Sequence, residues 1–119
     1  MEPINLNEKF ALFNDHWSPK IIGELNGQEI KLAKVKGEFV WHNHKNEDEL
    51  FFIIKGTLTI KFKDKTVQLT EGEMVIVPAG VDHLPIAEEE VWLMLFEPSN
   101  IKHTGDVQSH LTVEKCDWL

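Results

Sequence analysis

Apolar positions along this chain recur in short runs, closed by turn signals roughly every eight to twelve residues, the spacing of an all-β sandwich or barrel. Asn26-Gly27 separates Ile21–Leu25 from Glu29–Val35, and an Asn-Gly step between two such runs predicts a hairpin. Glu38–His44 alternates. Leu50–Ile54 is apolar on both faces. Thr57–Phe62 alternates and ends at the charged turn Lys63-Asp64-Lys65. Thr66–Leu69 and Met74–Val77 follow, split by Glu71-Gly72-Glu73. Leu84–Ala87 and Val91–Phe96 read as two strands around a solvated Glu88-Glu89-Glu90 turn. No long segment shows clean helical periodicity. Residues 5–14 are expected to form one short N-terminal helix with Asn7 as its N-cap. The tail carries Leu111, Val113 and Trp118 and is expected to pack back as an edge strand.

Size and charge narrow the options. At 119 residues the chain fits one domain, 1–119, with its barrel core at about 30–97, and 42% apolar residues suffice for a core. A net charge of -8 argues against a nucleic-acid partner and against docking on an anionic membrane. No apolar run approaches a membrane span, and no secretory leader is evident. The single cysteine, Cys116, allows no internal disulfide, so a reducing, cytoplasmic setting is expected. The chain has no arginine, the usual bidentate clamp for a carboxylate or phosphate. Lys34, Lys45 or Lys102 would have to stand in for it.

The candidate chemistry lies in two blocks. The first runs from Gly37 through His42, His44 and Glu49 to Gly56; the second runs from Gly72 through Pro78 and Gly80 to His83. On a strand, His42 and His44 point to one face with Val40, and Phe39 and Trp41 to the other. Two imidazoles about 6–7 Å apart along a strand can converge on one ion. Glu49 follows after a short turn and His83 comes from the second block. Three imidazoles and a carboxylate make a mixed N/O set for a divalent transition metal. Taken singly, each histidine reads equally as a surface or hydrogen-bonded residue, and Glu49 as part of a solvated acidic loop. The case rests on their joint spacing.

Those two blocks resemble the signature motifs of the cupin superfamily. Gly37, His42, His44, Glu49 and Gly56 match the first, with one residue fewer than usual between Gly37 and His42. Gly72, Pro78, Gly80 and His83 match the second, with Ala87 where asparagine is usual. Residues 57–71 separate the blocks, as in small bacterial cupins. The resemblance implies a jelly-roll β-barrel or sandwich with one divalent metal ion per chain (Fe, Mn, Ni or Zn) on His42, His44, Glu49 and His83. It implies a metal-dependent small-molecule enzyme, an oxygenase or an isomerase/lyase, or alternatively a non-catalytic ligand-binding or structural module. The segment from Glu97 through His103 to Asp106 is similar to the tail of a subset loosely called mannose-6-phosphate isomerase-like. That label follows fold more than activity.

Two further expectations concern faces. Val40, Phe51, Ile53, Met74, Ile76 and Pro85 are expected inside, forming an apolar pocket for a small, oxygen-chelating ligand. Phe39, Trp41, Leu50, Phe52 and Ile54 are expected outside, as a homodimer interface unless the N-terminal segment or the tail covers them. Trp17 and Trp92 read as core or interface residues. His16 and His110 have no evident partner.

Overall fold

Asn26 and Gly27 both take positive φ, 51° and 79°. This is the left-handed pair that a two-residue hairpin turn needs. The turn joins β1 (Lys20–Leu25) to β2 (Gln28–Glu38), with Leu25 opposite Gln28. The remaining strands are β3 (Glu49–Lys55), β4 (Leu58–Phe62), β5 (Thr66–Leu69), β6 (Met74–Val77), β7 (His83–Pro98) and β8 (Asp117–Trp118). This computed structural model describes residues 1–99, 105, 109–113 and 115–119.

The long strands β2 and β7 form the spine, paired antiparallel from Gln28↔Pro98 to Glu38↔Ile86. Along its other edge, β7 pairs first with β4 and then with β3. The sheet runs β5-β4-β7-β2-β1-β8, with β3 bridging β7 to β6. It does not close on itself.

Residues 83–98 are one strand and not two. Val35 lies opposite Val91 but Gly37 lies opposite Ala87, so Glu88, Glu89 and Glu90 bulge out against a single residue. The acidic triplet is exposed because it absorbs the bend where β7 changes partner. Gly56 packs against that bend with φ of 94°; a Cβ there would meet the Glu90 carbonyl oxygen at 3.0 Å. No other residue type fits both constraints.

The alternation over residues 38–44 does not make a strand. Regular pairing of β2 ends at Glu38, and beyond it His42 forms only an isolated bridge to His83. The shift near Gly37 (φ 87°) turns Phe39 inward, where its ring stacks on Trp17 at 4.4 Å. Phe39 is therefore core and not outer surface. Trp41 does face out, with the Lys63 ammonium 3.9 Å above its ring.

Two apolar clusters flank the sheet. The larger one holds Trp17, Ala33, Val35, Phe39, Phe51, Ile53, Leu58, Ile60, Val91, Leu93 and Leu95 inside the sandwich, with Val40 and Leu111 packed against it. The second lies on the outer face, where Phe10 and Phe13 cover Ile22 and Leu32, with Ile54, Trp92 and Met94 at its edge. The helix that delivers Phe10 is α1 (Leu6–Phe10). Its N-cap is Asn5, not Asn7: the Asn5 Oδ1 accepts from the Glu8 N–H at 2.9 Å. The N-terminal segment thus covers Ile54 and part of the expected interface.

Met74 and Ile76 are half exposed, contrary to expectation. The register explains this: β6 sets Val75 opposite Phe51 and Val77 opposite Glu49, and directly opposed residues share a face. Val77 and Val75 therefore take the inner positions. The tail does return, as β8, which pairs parallel with β1 through Lys20↔Asp117 and Ile21↔Trp118.

Candidate metal centre

The two sequence blocks are stitched together by main-chain and loop contacts before any side chain of the site is considered. His42 and His83 exchange backbone hydrogen bonds of 3.1 and 2.9 Å. The Gly80 N–H donates to the His44 carbonyl at 2.8 Å, and the Ala79 N–H to Asp48 Oδ1 at 2.9 Å. Asn43 Nδ2 donates to Asp82 Oδ1 at 2.8 Å. Asp48 is thus a tie that holds the Pro78–Gly80 corner beside Glu49. Gly105, in the returning tail, rests against the Asn43 main chain.

His42, His44, Glu49 and His83 all meet. Their candidate ligand atoms lie within 4.8 Å of one another, and all four residues are 5% exposed or less. The rings of His42 and His83 are 4.2 Å apart between centroids. His42 Nδ1 bonds the Val40 carbonyl at 2.8 Å and His83 Nδ1 bonds the Val81 carbonyl at 2.9 Å. A carbonyl only accepts, so each Nδ1 carries the hydrogen and each neutral ring turns an Nε2 lone pair to the cluster. His44 Nε2, His83 Nε2 and Glu49 Oε1 are buried without a hydrogen-bond partner. The approaches of 3.3 and 3.5 Å from His44 and His83 to Glu49 are near contacts, not hydrogen bonds. Buried, orphaned acceptors are costly. The cluster is consistent with a divalent cation, which would satisfy all of them together.

Burial, followed by repulsion from His83, pushes the His42 pKa down to about 4. Burial acts to raise the Glu49 pKa, but the pull of a protonated His44, then of a protonated His83, outweighs it and sets it below the ordinary carboxylate range. For His42 the folded pKa lies below the unfolded value of 6.5. The unfolded chain therefore binds more protons between pH 6.5 and about 4, and stability is lost as pH falls through that window. Roughly 3 kcal/mol of stability is at stake. Urea titrations of chelator-stripped protein at pH 7, 5.5 and 4.5 should show a falling midpoint; a midpoint flat across this range would contradict a buried neutral His42.

A cavity of about 30 Å³ adjoins the cluster. Trp17, Ala33, Val35, Phe51 and Pro85 wall it, and its polar lining comes from His42 and Glu49 alone. Its space is about that of one or two water molecules. Phe51 and Pro85 are where the alternation placed them. No lysine lines it. Lys34 instead bonds the Phe13 carbonyl at 2.8 Å, and Lys45 is exposed. Lys102 and His103 lie outside the described residues. Trp17 is a wall and a core residue, anchored by its Nε1 on the Lys36 carbonyl at 2.8 Å. Trp92 stacks on Phe10, also as core. His16, which had no evident partner, meets Glu90 at 2.7 Å.

Sequence reading missed Glu97 and Lys31, which are 1% and 2% exposed. Their signal was parity: Glu97 follows Val91, Leu93 and Leu95 at alternate positions, and Lys31 precedes Ala33 and Val35. Lys31 Nζ bonds Glu97 Oε1 at 3.1 Å, while Glu97 Oε2 has no partner. Burial, then the Glu49 charge, hold the Glu97 pKa well above the ordinary value, against the pull of Lys31.

Known proteins resemble this chain in sequence and fold. The sequence model described as the Cupin domain matches residues 29–97. The uncharacterized protein YdbB of Bacillus subtilis is 41% identical over 79 residues, 66% of this chain and 64% of YdbB, so the chain spans just under two thirds of that relative. The crystal structure of a cupin-2 domain containing protein from Shewanella frigidimarina is 53% identical, with a TM-score of 0.79, over 80% of this chain and 93% of that one. Protein NMB1881 of Neisseria meningitidis is 35% identical, with a TM-score of 0.75, over 82% of this chain and all of its own. None of these descriptions carries a sugar-phosphate isomerase activity.

Proposed function

The chain belongs to the cupin domain family, and on that premise we propose that His42, His44, Glu49 and His83 hold one divalent transition metal (Fe, Mn, Ni or Zn) serving a small-molecule enzyme, an oxygenase or an isomerase/lyase. The observation that carries this is the set of orphaned buried acceptors, His44 Nε2, His83 Nε2 and Glu49 Oε1. When bound, the metal supplies Lewis acidity or, as iron, dioxygen chemistry. The chain's own contribution is positional. The Val40 and Val81 carbonyls hold two of the rings in one tautomer and orientation. Phe51, Trp17 and Pro85 keep the adjoining cavity apolar.

The ligand that suits such a wall is small, mostly apolar and chelating through oxygen, such as a diketone, enol or catechol, and the cavity of about 30 Å³ must widen to admit one. A sugar phosphate suits it poorly, for want of any cation among the lining residues. Elemental analysis of protein purified without chelator should find about one divalent metal per chain. Competition on metal-loaded protein should then favour catechols or diketones over hexose phosphates, with dioxygen uptake separating oxygenase from lyase. Tighter, metal-dependent binding of the hexose phosphates would sink the substrate class. Tight ligand binding without turnover would favour the non-catalytic reading.

We further propose a homodimer on what remains of the outer apolar face. Leu50 and Phe52 are half-buried there, opposite the exposed Ile76 and Met74 of β6. Phe52→Glu should yield monomers by light scattering; an unmodified protein that is monomeric at micromolar concentration rules this out. The lone Cys116 fits a reducing compartment such as the cytoplasm.

A further inference from the structure

The inner faces of β2, β7 and β3 are apolar along most of their length and acidic at one end. In register, Ala33, Leu93 and Ile53 form one buried row across the three strands. Lys31, Leu95 and Phe51 form the next. Glu29 is opposite Glu97, and the β3–β7 register continued by one residue brings Glu49 alongside. All three carboxylates are 8% exposed or less.

Like charges directly opposed across strands are destabilising. One cation answers two of the three acids: Lys31 Nζ lies 3.1 Å from Glu97 Oε1 and 3.6 Å from Glu29 Oε1. Such a pair adds little to stability, because apolar residues of similar volume would fill the rows as well. What the pair does achieve is orientation. It fixes one oxygen of Glu97 on Lys31 and leaves the buried Oε2 unpartnered, in a residue that the register sets beside Glu49.

We propose that Glu97, anchored by Lys31, is the positioning residue of the Glu49 carboxylate, setting how Glu49 meets the three imidazoles. The inference rests on the metal reading above. The register sets the Glu97 carboxyl group beside that of Glu49, and Lys31, 3.1 Å from Glu97 Oε1, keeps it from turning away. Glu97→Gln preserves this geometry, with an amide oxygen for Lys31 and an N–H for Glu49. The double variant Lys31→Met, Glu97→Leu removes the pair and leaves Glu29 without its cation.

The test is Co(II) titration of chelator-stripped protein, read by visible absorption and by competition with a chelator. The double variant should bind Co(II) about 10–100-fold more weakly, with a shifted spectrum, while its far-ultraviolet spectrum stays β-rich. Glu97→Gln should restore the parent affinity and spectrum. Parent-like affinity and spectrum in the double variant would overturn the proposal, as would a Glu97→Gln variant as weak as the double. If the double variant does not fold, Glu97→Asp decides: it keeps the carboxyl group but withdraws it by one methylene, and an unchanged spectrum and affinity overturn the proposal. An unmodified protein that takes up no Co(II) removes the metal reading itself, and this inference with it.

Discussion

His83→Ala is expected to lower divalent-metal affinity by more than about 100-fold, since loss of a supporting partner alone typically costs 10–100-fold. The strand pairing should survive, because the bonds that bring His83 to His42 are main-chain bonds of 2.9 and 3.1 Å. Metal bound to the native state alone adds about 2.7 kcal/mol at a hundredfold excess over Kd. The variant should therefore lose the rise in melting temperature that metal confers on the parent, while its far-ultraviolet spectrum stays β-rich. A double variant His42→Ala, His44→Ala should behave likewise. Full metal loading in that double variant would falsify the assignment of the site.

Phe10→Ala should destabilise the protein by about 3–5 kcal/mol. The Phe10 side chain is wholly buried, its ring stacked on Trp92 at 4.8 Å and near Phe13 at 5.8 Å. It is the residue by which a five-residue helix holds onto the outer face of the sheet. Without it, Ile54, Trp92 and Met94 lose their cover and the exposed apolar face grows. Urea unfolding should show a much lower midpoint, together with a greater tendency to associate. A loss below about 1 kcal/mol would mean that the N-terminal segment is not part of the cooperative core.

The particulars show where pattern sufficed and where it did not. The Asn26-Gly27 turn was legible because only a few residues accept two positive φ values in succession. The ligand quartet was legible because its spacing matches two motifs that the chain shares with a known family. The break at Glu88–Glu90 misled, since acidic residues solvate a bulge as readily as a turn. Phe39 misled because alternation assumes an extended chain, and residues 39–44 leave the sheet. Met74 and Ile76 misled because in Met74–Val77 every residue is apolar, so parity carries no information until a partner strand is known.

The sequence by itself determined the all-β class and the hairpin, because turn chemistry and side-chain alternation are local properties of the chain, and its resemblance to two family motifs named the four side chains of the candidate site. The tertiary structure decided which face of β6 is inside, that the N-terminal helix covers the outer sheet, and that Lys31 and Glu97 stand behind Glu49. Each of these depends on the register between strands distant in sequence: Glu29, Glu49 and Glu97 become neighbours only when β2, β3 and β7 pair. Local preference is blind to that, because register is chosen by the burial of whole faces at once.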